Sequence, residues 1–337
     1  QKDGISGMDN LTHSLVGAVL GQAGLKKKTG LGMATLIIAA NIPDIDAVAT
    51  LLGGVQHLAI RRGITHGPIA MLVLPLVLTA MMIGFDRWQA RRGARPDDRL
   101  PIHTGWLLML AFIGTLSHPA TDWLNSYGVR FLEPFSSQWI YGDSIFIIDI
   151  WIWIALIAGV WISRRREKSG GNWQRPAWIS FTAICTYIFA NGAITGVAES
   201  HTTHWLKHTA HVEPELVVAN PLPVTFWKRA MLWRSADLYG EEDFDLFSPS
   251  NKQNEYQNGK IGTPHMVNHP AVAKAGEIDP DARAYLFWTR MPVVTVEDKG
   301  DNYLVTLRDQ RFMISGIGDR FVVRTTVPKD RLDQTKR

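Results

Sequence analysis

Residues 69–85, IAMLVLPLVLTAMMIGF, carry no charge and, with their flanks, approach the roughly 20 apolar residues that cross a bilayer. A run of that kind restricts the chain to folds that hide it in lipid or in a large core. Residues 145–162, with three tryptophans and one acid, Asp149, and residues 177–198 are comparable and read as two further spans. Shorter apolar runs at 11–25, 31–42 and 104–116 fit buried, half-spanning or re-entrant helices, which a bilayer tolerates where protein covers the backbone. Beyond about residue 198 the chain is polar and mixed. The 337 residues thus divide into an α-helical integral membrane bundle over 8–200 and a soluble C-terminal α+β domain over 201–337. Residues 1–7 read as a leftover ahead of Met8, and no small-residue cleavage site follows the first apolar run, so no cleaved signal peptide is expected.

The basic residues sit in alternate loops. Lys26, Lys27 and Lys28 follow the first run, Arg87, Arg91, Arg92 and Arg95 the third, and Arg164, Arg165, Arg166, Lys168 and Arg175 the fifth. The positive-inside rule places these loops in the cytoplasm of a multi-pass inner-membrane protein and the C-terminal domain on the periplasmic side. The formal charge of +4 is spread over such loops rather than along a soluble stripe, which argues against a nucleic-acid partner. The single cysteine, Cys185, excludes an internal disulfide and is expected to face lipid or core.

That orientation gathers six candidate metal ligands at the non-cytoplasmic ends of the helices: His13, Asp44, Asp46, His66, His118 and Asp122. His118 and Asp122 stand four apart, and with Pro119 as a first helical position they share one helix face. An imidazole and a carboxylate so placed can share a divalent cation such as Zn²⁺. Asp44 and Asp46 follow Pro43 and suit a loop entering a metal site, or alternatively a helix N-cap. His13 has a capped helix start as its plain alternative, and His66 a buried polar residue. Arg61 and Arg62 read equally as an anchor for an anionic group and as a surface pair.

Other polar residues rank below these. Asp149 lies inside a predicted span and is a further ligand candidate. Asp143 is expected to be solvated, and His57 and His103 are loop histidines. Asn125, Ser126 and Tyr127 are placed to orient ligands or touch substrate. His201, His204, His208 and His211 fit an amphipathic helix leaving the membrane, with a second metal site as the alternative. Alternation at 285–297, 303–308, 311–315 and 321–326 predicts strands of an antiparallel meander, and 237–258 a loop or edge segment.

Taken together, Asp9-Asn10-Leu11-Thr12-His13, Ile42-Pro43-Asp44-Ile45-Asp46, Arg62-Gly63-Ile64-Thr65-His66-Gly67 and His118-Pro119-Ala120-Thr121-Asp122, with Asn125-Ser126-Tyr127-Gly128 behind, resemble the bacterial inner-membrane metal-dependent hydrolase family that also carries a "LexA-binding" label. The resemblance is close over the membrane half and looser at Phe287-Trp288-Thr289-Arg290-Met291-Pro292 and Arg308-Asp309-Gln310-Arg311-Phe312. The ligand order also resembles zinc-dependent phospholipase C and P1-type nuclease, and implies metal-ligand roles for His13, Asp44, His66, His118 and Asp122. The later His and Glu ligands of that group have no counterpart in this chain, and the family's usual serine after the third-motif histidine is Gly67.

The resulting expectation is a phosphoesterase that uses two divalent ions, Zn²⁺ first, to activate water against a lipid or membrane-adjacent substrate. Asp44 or Asp46 would accept the proton and Arg61 or Arg62 would steady the phosphate. The competing expectation is a non-catalytic membrane protein with a structural metal site and a partner-binding C-terminal domain.

Overall fold

The computed structural model describes residues 4–236, 238–248, 262–313 and 321–333, with side chains from residue 10 onward. The helices of the first two thirds are α1 (Gly4–Gln22), α2 (Gly32–Ala39), α3 (His57–Ile60), α4 (Pro68–Arg91), α5 (Thr104–Trp123), α6 (Ile150–Lys168) and α7 (Gln174–His208). Strands β1 (Leu216–Pro221), β2 (Lys228–Arg234), β3 (Leu238–Asp245) and β4 (Thr263–Pro264) follow. Then come α8 (Pro270–Ile278), α9 (Pro280–Trp288), β5 (Pro292–Lys299), β6 (Asn302–Asp309), β7 (Val322–Pro328) and α10 (Asp330–Asp333). These elements form two compact units: Gln1–Asp46, Arg62–Ala193 and Pro223–Phe226 make one, and Ala47–Arg61, Ile194–Leu222 and Trp227–Arg337 the other.

In the first unit α2 packs between α1 and α5, α4 lies against α5, and α1 also meets α6. Gly114 lets α5 approach α2 closely, because a Cβ there would stand 2.5 Å from that of Ala39 and 2.9 Å from the Leu36 carbonyl. Leu78, Met82, Leu107, Ala111 and Ala39 close one apolar cluster; Val19, Leu124, Ile152, Leu156 and Ala177 close another. The short segment Pro223–Phe226 adds the Phe226 ring, whose centroid is 6.3 Å from Trp151 and 5.5 Å from Tyr187.

Two helices among the described residues, α4 and α7, are long and apolar enough to cross a membrane. The span expected over 145–162 is corrected. The helix there starts only at Ile150, and its uncharged part up to Ser163 covers about 21 Å, short of the roughly 30 Å hydrocarbon core. Asp149 accordingly stands ahead of that helix rather than inside it. Its carboxylate is the N-cap of α6, accepting from the Trp151 and Ile152 amides at 3.0 and 3.1 Å and from the Tyr187 hydroxyl at 2.9 Å.

Pro119 lies inside α5 rather than at its start, so one backbone bond is missing, yet His118 and Asp122 keep their shared face. Asp143, expected in solvent, is buried, and Cys185 is exposed on α7. The apolar run 31–42 breaks after Ala39. The Asn41 side chain donates to the Ile37 carbonyl (2.7 Å) and to Ser14 Oγ (3.0 Å), and a 3₁₀ helix, Ile42–Leu52, continues at an angle of 41°.

In the second unit β1, β2, β3 and β4 pair antiparallel in that order, and β5, β6 and β7 form an antiparallel meander. Of the region 237–258, expected as a loop or edge segment, the first part is β3, which pairs along all of β2 and meets β4 only at Leu238 and Tyr239; residues 249–261 lie outside those described. The strand expected over 285–297 begins only at Pro292. Asp279 accepts from the Asp281 amide at 2.9 Å, and with Pro280 behind it this starts α9, which overrides the alternation as far as Trp288. Of the strand expected over 311–315, the described part, 311–313, is not one: Asp309 caps a 3₁₀ turn, Gln310–Phe312, by accepting from the Arg311 amide, and residues 314–320 lie outside those described.

The two C-terminal segments singled out in the sequence lock onto each other. Both carboxylate oxygens of Asp309 are engaged by Arg311, at 2.9 and 2.8 Å, and one also accepts from Thr289 Oγ1 (2.6 Å) and from the Arg290 amide (3.0 Å). The Arg311 guanidinium lies over the Trp288 and Phe312 rings at 5.1 and 5.2 Å. Neither Asp309 nor Arg311 reaches water, so each satisfies the other's charge.

Candidate metal centre

Three local devices bring the six predicted ligands together, all within the first unit. On α1, His13 is held beside α6, where Trp153 Nε1 donates to the neighbouring Thr12 hydroxyl at 2.8 Å. The helix break at Asn41 turns Asp44 and Asp46 into a 3₁₀ helix, whose three residues per turn send them in different directions. Asp44 faces His118, Oδ1 to Nε2 3.7 Å, and Asp46 faces the turn Ile64–His66. On α5, His118 and Asp122 project inward one helical turn apart.

Asp122 is the hub. Its carboxylate lies 3.4 Å from His13 Nε2, 3.2 Å from His66 Nε2, 3.4 Å from His118 Nε2 and 2.8 Å from Arg62 Nη2. Among the described residues, two groups bring three donors within 4.8 Å of one another: His13, Asp44 and His118, and His66, His118 and Asp122. All six residues are buried.

The tautomers follow from the partners of the other ring nitrogens. His118 Nδ1 is 2.7 Å from the Ala40 carbonyl, an acceptor only, so it carries the proton. Thr121 gives its hydroxyl proton to the Ser117 and His118 carbonyls, at 3.0 and 2.8 Å, and therefore accepts from His13 Nδ1 at 3.0 Å. Thr65 gives its proton to Asp46 Oδ2 at 2.8 Å and accepts from His66 Nδ1 at 2.9 Å. When neutral, all three imidazoles thus turn a lone pair on Nε2 toward the same carboxylate. Lone pairs facing oxygen lone pairs at such distances repel unless a cation lies between them, and the stacked His13 and His118 rings, 3.8 Å apart, disfavour charging both with protons. With the imidazoles neutral, Asp44, Asp46 and Asp122 set against Arg62 leave an excess of negative charge, which a divalent ion would offset.

Sequence reasoning missed Thr65 and Thr121, the hydroxyls that orient His66 and His13. The available signal was that each directly adjoins a candidate ligand. Arg62 is not a surface residue. Beyond Asp122, its Nη1 donates to Asn125 Oδ1 at 3.0 Å and to the Gly128 carbonyl at 3.4 Å, its amide donates to Asp46 Oδ2 at 2.8 Å, and its guanidinium lies over the Tyr127 ring. These contacts make it a positioning residue for Asp122 and Asp46. Arg61 belongs to the other unit.

Gly67, where the resemblance leads one to expect serine, has a packing cause: a Cβ there would collide with the Glu133 carbonyl oxygen. Gly67→Ser is expected to lower stability by about 1–3 kcal/mol. Thermal melts in detergent measure this, and an unchanged midpoint would show that the backbone at Glu133 gives way freely.

The remaining histidines do not join the centre. His57 opens α3 rather than lying in a loop, and His103 caps α5, its Nδ1 accepting from the Trp106 amide at 3.3 Å. His201, His204 and His208 are exposed on the C-terminal part of α7, whose Thr202 and Leu206 are buried. His204 and His208 pair at 4.4 Å, but no third donor joins them among the described residues.

No curated protein matches this chain, and no solved structure does. The sequence profile of the YdjM inner membrane protein family matches residues 8–198, which agrees with the two candidate spans in placing the protein at a membrane, and the chain belongs to that family.

Proposed function

We propose that this protein is an integral membrane hydrolase that holds a divalent metal at His66, His118 and Asp122 and cleaves a phosphoester of a lipid or membrane-adjacent substrate. The observation that carries the reading is the convergence of three Nε2 lone pairs on the Asp122 carboxylate. Neighbouring donors around a tetrahedral Zn²⁺ with bonds of about 2.0–2.1 Å lie about 3.3 Å apart. The separations of His66 and His118 Nε2 from the same Asp122 oxygen, 3.2 and 3.4 Å, suit an ion of that size. His118 has a single lone pair to give, so a second ion would rely on His13, Asp44 and the Asp122 oxygen that already meets Arg62. In this reading the helices form a bundle in the inner membrane, with the centre and the C-terminal unit on the periplasmic side.

A bound ion supplies Lewis acidity toward a phosphoryl oxygen and makes water a better nucleophile at neutral pH. The chain's own residues do the rest. Asp44 takes the proton of the attacking water, with Asp46 held for the same purpose by Thr65 and the Arg62 amide. The Thr121 and Thr65 hydroxyls and the Ala40 carbonyl keep the imidazoles in the ligating tautomer.

The burial of every donor favours one competing reading, a closed structural site in a protein that binds a partner through its C-terminal unit. Elemental analysis of purified protein, run beside a panel of phosphomonoesters and phosphodiesters, separates the two. The enzymatic reading expects bound divalent metal together with turnover, and at least about a tenfold loss of metal affinity and of turnover in His118→Ala. Equal metal content in wild type and variant would overturn both readings. Metal without turnover would leave the structural one.

A further inference from the structure

The six candidate ligands differ in how far they are covered. His118, His66, Asp122 and His13 are 2 % exposed or less, whereas Asp46 and Asp44 reach 6 % and 8 %. The centre therefore comes nearest to its surroundings along the segment Asp44-Ile45-Asp46. The residue between these two carboxylates, Ile45, is 61 % exposed, and Ile64, two residues before His66, is 66 % exposed.

An apolar side chain so exposed beside a charged centre is costly in water and favourable in lipid. What lies next in the chain identifies the surroundings. From Gly63 to Phe85 there is no charged residue, and the first turns of α4, a helix able to cross a membrane, expose Ile69, Leu72, Val73 and Leu76. Ile64 is continuous in sequence with that apolar face, and the two acids beside Ile45 are turned inward.

We propose that the mouth of the metal centre lies at Ile45 and opens among the acyl chains of the bilayer, so that its substrate is a phospholipid-like amphiphile arriving from within the membrane rather than a water-borne phosphoester. The choice of a phosphoester rests on the hydrolase reading above; the placement of the mouth does not. A substrate entering there meets Asp44 and Asp46 before the deeper histidines, while its apolar part stays against Ile45, Ile64 and the start of α4. The same placement keeps bulk water from the carboxylates until a polar headgroup brings its own.

The test uses the full chain in liposomes. In a Cys185→Ser background, Ile45→Cys and Ile64→Cys are each labelled with a small environment-sensitive fluorophore, with Leu72→Cys on α4 as the lipid-facing reference and Lys299→Cys on β5 as the exposed polar reference. The labels at 45 and 64 are expected to be quenched several-fold more strongly by lipids carrying a nitroxide on the acyl chain than by iodide in the buffer, as at position 72. Quenching by iodide as at position 299 would overturn the proposal. Should Ile45→Cys fail to fold, Ile64→Cys decides alone. Because neither metal nor turnover is read, a water-facing mouth would leave the hydrolase reading standing, and absent turnover would leave the lipid placement standing.

Discussion

Replacing Asp122 by alanine is expected to destabilise the first unit by about 3–5 kcal/mol, because it strands the buried Arg62 guanidinium without its carboxylate. The same change removes the group that three imidazoles face, so metal should be lost with it. Two companion variants separate these effects. Asp122→Asn keeps the shape and much of the hydrogen bonding but no longer offers an anionic ligand, and it should lose metal at a smaller cost in stability. The double variant Asp122→Ala with Arg62→Met removes both charges and should recover part of the loss. Chemical denaturation in detergent gives the stabilities and elemental analysis the metal. If Asp122→Ala cost less than about 0.5 kcal/mol, as a surface substitution does, the carboxylate would not be the hub that the geometry makes it.

The second large effect belongs to the C-terminal unit. Asp309→Ala leaves Arg311 buried beneath Trp288 without its counter-charge and removes the acceptor of the Thr289 hydroxyl and the Arg290 amide; about 3–5 kcal/mol is expected. Burial by itself would raise the Asp309 carboxyl, but the Arg311 guanidinium and the hydrogen bonds outweigh it and hold the group below the usual carboxylate range. A carboxyl whose folded value lies below its unfolded value of about 3.9 contributes fully at neutral pH. That contribution falls away as the pH drops below about 4 toward the folded value. The gap in stability between wild type and Asp309→Asn should therefore be constant from neutral pH to about pH 5 and then narrow. A gap that stays the same into the acid range would mean that shape, not charge, holds the segment.

The residue types of the candidate centre were legible because histidines and aspartates amid apolar runs have few cheap explanations. Their convergence could be argued from loop charges, but only the packing of α1, α2 and α5 brings His13, Asp44 and His118 to one place. The threonines that set the tautomers were illegible, since a hydroxyl becomes a ring-nitrogen acceptor only once its own proton is committed, as Thr121's is to Ser117 and His118. Asp149 was misread because apolar residues flank it on both sides and nothing local says that the helix begins after it. The meander was visible in its alternation, yet α9 was missed although Asp279 and Pro280 spell a helix start. In that segment a two-residue capping signal outweighed several residues of strand-like pattern.

The interleaving of the two units has a consequence for the order in which they can be completed. Synthesis delivers Ala47–Arg61 early, yet α3 within it packs on α9, which is among the last helices made. Phe226, whose ring packs edge-on against Trp151 and Tyr187 in the first unit, likewise emerges only after α7. A chain stopped near residue 200 is therefore expected to leave α3 without α9, and Trp151 and Tyr187 without Phe226.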